Sequence, residues 1–173
     1  PVLLDLDGYL TTSSFIHMRA WQEMLSEELA GHQDQNPYTD EDYFAYVDGK
    51  PRYNGVRDFF ASRGITLPEG DPSDGPAAQT ICGLGNRKND LFNTVLARDG
   101  IQPYPGSRRW VDRLHESGMA MAVVSSSRNA AAVLKAAGMV EDFSVLVDGN
   151  RSKTERLPGK PAPDTYLRGA ELL

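Results

Sequence analysis

Cysteine is nearly absent. Cys82 is the only one in 173 residues, so no intrachain disulfide can form, which fits a reducing cytosol. No apolar run approaches membrane-spanning length, and no signal-peptide pattern is visible, so a cytoplasmic protein without membrane partners is expected. Positive charge is also scarce: 18 Lys and Arg face 24 Asp and Glu, for a net charge of −6. Wholesale nucleic-acid binding is therefore not expected, and any phosphate affinity must come from a few local cations. Internal repeats and low-complexity tracts are lacking. What remains is ordinary globular composition, 40% apolar and 24% charged, over a length that suits one domain or a core plus a small insert.

The most informative stretch is the first ten residues. Val2, Leu3, Leu4 and Leu6 read as a buried strand, with Asp5 and Asp7 bracketing Leu6 and Gly8 following. Strand residues two apart point the same way, so both carboxylates can emerge at the strand's carboxyl end, where open α/β sheets bind ligands. Two carboxylates this close repel each other, and a hard cation such as Mg²⁺ relieves that. Asp-Gly is also an ordinary acidic turn. Downstream, Val123-Val124-Ser125-Ser126-Ser127-Arg128-Asn129 places hydroxyls at a second strand end before a helix N-terminus, a source of donors for an anion or simply a set of N-caps. Lys160 precedes Pro161-Ala162-Pro163, which stiffen the backbone; it could neutralise a phosphoryl group or the Asp pair, or be a solvated surface lysine.

Helical spacing of Met18, Trp21, Leu25 and Leu29 predicts a first helix capped by Ser13 or Ser14. A break is expected over Gly31 to Pro37, then a short helix from Thr39, a loop over Val47 to Arg52, a helix over 55–62 and a long helix over 77–98 weakened by Gly83 and Gly85. Beyond residue 99 the rhythm alternates: a helix capped by Ser107, a strand over 119–124, a helix over 129–137, a strand over 145–147 and a helix over 164–172. That pattern implies parallel strands joined by crossover helices. The fold class is thus α/β, with a core of residues 1–13 and 99–173 interrupted by an all-helical insert of residues 14–98.

Together, Asp5-Leu6-Asp7-Gly8, Ser125 and Gly159-Lys160-Pro161-Ala162-Pro163-Asp164, in that order, resemble the haloacid dehalogenase superfamily of phosphotransferases over nearly the whole chain. The resemblance implies a Rossmann-like three-layer core with a parallel sheet and an α-helical cap. It implies Asp5 as the nucleophile that forms an aspartyl-phosphate and Asp7 as general acid and base. Lys160 offsets charge, and Mg²⁺ is held by Asp5 and the backbone carbonyl of Asp7. His17, Arg19-Ala20-Trp21, the loop Val47-Asp48-Gly49-Lys50-Pro51-Arg52 and Asn86-Arg87-Lys88-Asn89-Asp90 resemble the β-phosphoglucomutase group. In that group cap cations hold a second phosphate. The implied substrate-binding residues are His17, Trp21, Gly49, Arg52, Lys88, Ser125, Ser126 and Asn129. Read without the family, His17, Arg52 and Lys88 are solvated side chains and Trp21 is core. Tyr9 replaces a small aliphatic residue of the family and Thr12 a common Asp.

The expected reaction is isomerisation of β-glucose 1-phosphate to glucose 6-phosphate by a monomer, with hydrolysis of a small sugar phosphate or other organic phosphate as the alternative. The family's fourth motif, an acidic strand end, is not met before Glu171-Leu172-Leu173, and Asp148 does not match its position. From this the core is expected to lack its C-terminal part and the chain to bind Mg²⁺ weakly, with little or no turnover. A truncated, non-catalytic fragment is the further alternative.

Overall fold

A computed structural model describes residues 1–32 and 34–173. Gln33, inside the break expected over Gly31 to Pro37, lies outside the described residues. The chain forms two compact units, Pro1–Phe15 with Gly100–Leu173, and Ile16–Asp99.

The first unit is α/β. Strands β1 (Val2–Asp5), β2 (Met121–Val124) and β3 (Val145–Val147) form a parallel sheet in that order. Val2 to Asp5 pair with Met121 to Val124, and Ala122 to Val124 with Val145 to Val147, so all three strands end level with one another. Every residue of central β2 is buried, as a parallel strand covered on both faces requires. Helices α5 (Pro105–Glu116), α6 (Ala130–Ala136), α7 (Gly149–Thr154) and α8 (Asp164–Leu172) complete the unit. A Cβ on Gly169 of α8 would lie 3.2 Å from Leu3 and Val124 side chains, so this helix rests directly on the sheet.

The second unit is helical: α1 (Ser13–Leu29, which begins in the first unit), α2 (Asp40–Asp42, running into a π turn over Tyr43–Val47), α3 (Arg52–Ser62) and α4 (Ile81–Asp99). Its core gathers Trp21, Met24, Leu25, Val56, Phe59 and Leu84, all 3% exposed or less. Thr39 caps α2 by accepting the Asp42 N–H, while the Asp42 carboxylate accepts the Thr39 N–H, a reciprocal capping box.

Several sequence expectations need correction. Ser13 and Ser14 do not cap α1; they form its first turn, and the Ser13 hydroxyl is used elsewhere. Helix α3 starts at Arg52 rather than 55, so Arg52 leaves the expected loop, with Pro51 immediately before it supplying a φ suited to a helix start. Ser107 does not cap α5, because Pro105 begins it; the Ser107 hydroxyl donates to the Tyr9 carbonyl at 2.6 Å. Helix α4 starts at Ile81 rather than 77, where the Thr80 hydroxyl accepts the Gly83 N–H at 2.9 Å. Helix α7 is an addition to the expected elements: its six residues, GNRSKT, carry no apolar period.

Candidate active site

The level strand ends of the α/β unit bring four of the sequence-predicted residues together. The Asp5 side chain is pinned by its own chain, its Oδ1 accepting the Leu6 N–H at 2.8 Å. Its Oδ2 pairs with Lys160 Nζ at 2.7 Å, and both side chains keep 20–26% exposure. Lys160 also donates to the Val124 carbonyl at 3.3 Å and lies 5.2 Å from the centre of the Tyr166 ring. The lysine is thus tied to the end of β2 and to α8, with its charge aimed at Asp5.

Asp7 follows in a tight turn. The N–H groups of Leu10 and Thr11 both donate to the Leu6 carbonyl, and Gly8 sits at φ +77°, where a side chain is disfavoured. Each Asp7 oxygen accepts a serine hydroxyl: Oδ1 from Ser13 at 2.5 Å, Oδ2 from Ser125 at 3.0 Å. Thr11 donates in turn to the Ser13 hydroxyl at 3.0 Å, and Thr11 and Ser13 are fully buried. Sequence reading missed Thr11, Ser13 and Tyr166. The only available signal was a hydroxyl-rich turn directly after Asp-Leu-Asp-Gly.

Ser125 is buried and central. Besides donating to Asp7 it accepts the Ser127 N–H at 3.0 Å, and its own N–H donates to the Val147 carbonyl, fastening β2's end to β3's. Ser126 and Asn129 are half-buried on the same loop, and the Asn129 N–H donates to the Ser127 hydroxyl at 3.1 Å. Asp148 is occupied as a helix cap: Oδ1 accepts the Asn150 and Arg151 N–H groups and Oδ2 the Asn150 amide. Among the described residues no three or more His, Cys, Asp or Glu side chains cluster in a way that could hold a metal ion. The Asp5 carboxylate and the Asp7 backbone carbonyl are hard oxygen donors. That oxygen set suits Mg²⁺, which keeps several waters and takes phosphate oxygens as further ligands.

The helical unit holds the other predicted residues in two separate settings. Lys88 on α4 is 5% exposed, with Nζ 2.6 Å from His17 Nδ1 and 5.1–5.3 Å from the centres of the Trp21 and Phe92 rings. His17 also stacks on Phe92 at 4.2 Å. Trp21 is therefore both core and a wall for Lys88. Arg52, at the start of α3, meets Asn86 and Tyr53 instead. Asn86 and Lys88 are two residues apart on α4, about 200° around the helix, so they do not share a face. Gly49 lies in the turn after the π turn, at φ +67°.

The haloacid dehalogenase-like hydrolase family model matches residues 2–173. The chain belongs to this family. Within the haloacid dehalogenase superfamily it falls in the β-phosphoglucomutase-like group. It is 45% identical over 177 residues to a beta-phosphoglucomutase of Mycobacterium tuberculosis (strain CDC 1551 / Oshkosh), covering 99% of this chain and 68% of that protein. Two solved structures share the fold. The beta-phosphoglucomutase of Clostridium difficile superposes with a TM-score of 0.76 at 18% identity, covering 99% of this chain and 69% of that one. A mutant form of the CbbY protein of Rhodobacter sphaeroides, in complex with xylulose-(1,5)bisphosphate, superposes with a TM-score of 0.70 at 22% identity, covering 99% and 71%. This haloacid dehalogenase-family protein is an enzyme, a phosphotransferase or phosphatase. Among its described residues no helix is long and apolar enough to cross a membrane.

Proposed function

We propose that the enzyme isomerises a sugar phosphate, of the β-glucose 1-phosphate to glucose 6-phosphate type, by moving a phosphoryl group through an aspartyl-phosphate on Asp5. An Asp5 carboxylate oxygen forms a bond to phosphorus while the bond from phosphorus to the departing sugar oxygen breaks. Asp7, as the acid, gives that oxygen its proton. In the return step Asp7 takes the proton from the other sugar hydroxyl, whose oxygen attacks phosphorus and releases Asp5. Lys160 stands beside Asp5 to offset charge on the transferring group, and the Ser125 hydroxyl, which donates to Asp7 in the free enzyme, turns to the same group when it arrives. Asp5 and the Asp7 carbonyl would hold Mg²⁺, which supplies further charge stabilisation when bound.

A mutase needs a second hold on a phosphate, remote from the nucleophile. The observation that carries the mutase reading is that Arg52 is held by neutral groups, with no carboxylate partner among the described residues. Six arginines lie in the helical unit. Arg19, Arg57, Arg63, Arg87 and Arg98 each pair with a carboxylate, whereas Arg52 makes no such ion pair among the described residues. Its charge is free to be met by a substrate anion, and arginine's fork suits phosphate. Lys88 is the second candidate cation. On this reading the enzyme acts as a cytoplasmic monomer on a small phosphorylated sugar.

The test is to give the full-length enzyme β-glucose 1-phosphate, a bisphosphate primer and Mg²⁺. Primer-dependent formation of glucose 6-phosphate is expected. Release of inorganic phosphate with no isomer formed would leave the enzyme a phosphatase.

A further inference from the structure

We infer that Asn86 is a positioning residue for phosphate specificity: it holds Arg52 with a neutral amide, fixing the guanidinium while leaving its charge available for an anion. This rests on the proposed role of Arg52 as the hold on the second phosphate.

The four hydrogen-bonding positions of the Asn86 amide are all used. Oδ1 accepts from Arg52 Nη2 at 3.1 Å and from the Tyr53 hydroxyl at 2.9 Å. Nδ2 donates to the Pro72 carbonyl at 3.2 Å and the Asp74 carbonyl at 2.9 Å. Two carbonyls on one side and two donors on the other allow only one amide orientation, so the oxygen must face Arg52. The Tyr53 ring lies under the guanidinium at 5.1 Å and presses against α4. Gly85, next to Asn86, permits that approach, since a Cβ there would lie 2.6 Å from the Tyr53 ring. Arg52 Nε is buried with no hydrogen-bond partner. A guanidinium held at one end, with no carboxylate partner, is stabilised by an arriving anion.

The chemistry separates positioning from plain support. An aspartate at 86 would hold Arg52 more strongly than asparagine, as a charge-assisted bond, yet it would cancel the charge the substrate needs. If Asn86 only supported the fold near Arg52, Asn86→Asp, which keeps the Arg52 contact but sets an oxygen against the Pro72 and Asp74 carbonyls, would lower the melting temperature and leave the substrate affinity of the folded enzyme unchanged.

The experiment measures KM and kcat of the full-length enzyme for β-glucose 1-phosphate with primer. Hydrolysis of acetyl phosphate, which carries one phosphate and no sugar, is measured in parallel, and thermal melts check folding. The variants are Arg52→Ala, Asn86→Asp and Asn86→Ser; serine is neutral and too short to reach Arg52. Asn86→Asp is expected to raise the sugar-phosphate KM about tenfold or more, and Asn86→Ser to raise it several-fold, with acetyl phosphate turnover nearly unchanged in both. Should the Asp variant fail to fold, the Ser variant still decides the matter through its KM. A KM near wild type in every folded Asn86 variant, while Arg52→Ala raises it, overturns the positioning role and leaves the Arg52 reading standing. No effect of Arg52→Ala on the sugar phosphate removes the second-phosphate reading itself, and this inference falls with it.

Discussion

Lys160 in the α/β unit and Arg52 in the helical unit are held in opposite ways. Lys160 is paired with the Asp5 carboxylate and a backbone carbonyl, so its charge is already matched to the proposed nucleophile. Arg52 is held by an amide and a phenol, neither of which neutralises it. A cation next to a nucleophilic carboxylate serves by holding it in place. A cation that must recruit a distant phosphate serves only if no resident anion satisfies it first. On the proposed function, the two units divide the work into transfer chemistry at the strand ends and anion recruitment on the helices.

The largest test of that division is Asp7→Asn. Removing the proton carrier should lower kcat about 10²–10⁴-fold for β-glucose 1-phosphate and leave Mg²⁺ affinity, read by titration, far less affected. Equal loss of both would make the Asp7 side chain a metal ligand and merge the two roles.

A smaller effect is expected from Lys88→Met. Methionine is flexible enough to fill the space beside Trp21 and Phe92, so the fold should persist in thermal melts. The sugar-phosphate KM should rise about tenfold, with acetyl phosphate hydrolysis hardly changed. Equal slowing of both reactions would assign Lys88 to the support of His17 rather than to the substrate.

The α/β unit is the more legible of the two. An apolar run ending in Asp-Leu-Asp-Gly specifies a strand with one acid at its end and one just past it, although β1, expected to be buried, is half-buried throughout because it lies at an edge of the described sheet; helix α8 is bounded correctly from Pro163 and its apolar period. Thr11, Ser13 and Tyr166 escape a sequence reading, because their roles come from hydrogen bonds and ring contacts made in the folded chain. Ser125 meets Asp7 across 118 residues of sequence. In the helical unit, local composition makes Gly85 a weak point of α4, where it is a point of close approach for Tyr53. Similarly, Asn86 is one letter in a basic motif until α3 and the turn at Pro72–Asp74 converge on it. Short, polar α7 has no period to read, and its cap, Asp148, looks in sequence like a stray acid at a strand end.

The smallest expected effect lies away from both sites and sharpens the comparison by showing what a half-buried, fully matched ion cluster contributes. The hydrogen bond from Arg168, and then that from Arg151, hold the Glu155 carboxyl below its ordinary value of 4.5. A depressed folded-state value means that the stabilisation is present above the unfolded value and is lost as pH falls below about 4.5. Glu155→Gln should thus lower the urea midpoint slightly at neutral pH, with the difference from wild type shrinking in acid and in high salt. A difference that grows on acidification would contradict this sign.

The central claim, that phosphate passes through Asp5, is tested most directly by quenching the full-length enzyme during turnover with acetyl phosphate or a sugar bisphosphate and locating the phosphorylated residue by peptide mass mapping. The account predicts a labile acyl phosphate on Asp5, absent from Asp5→Asn. Phosphate found on any other residue, or turnover by the Asp5→Asn enzyme, would contradict it.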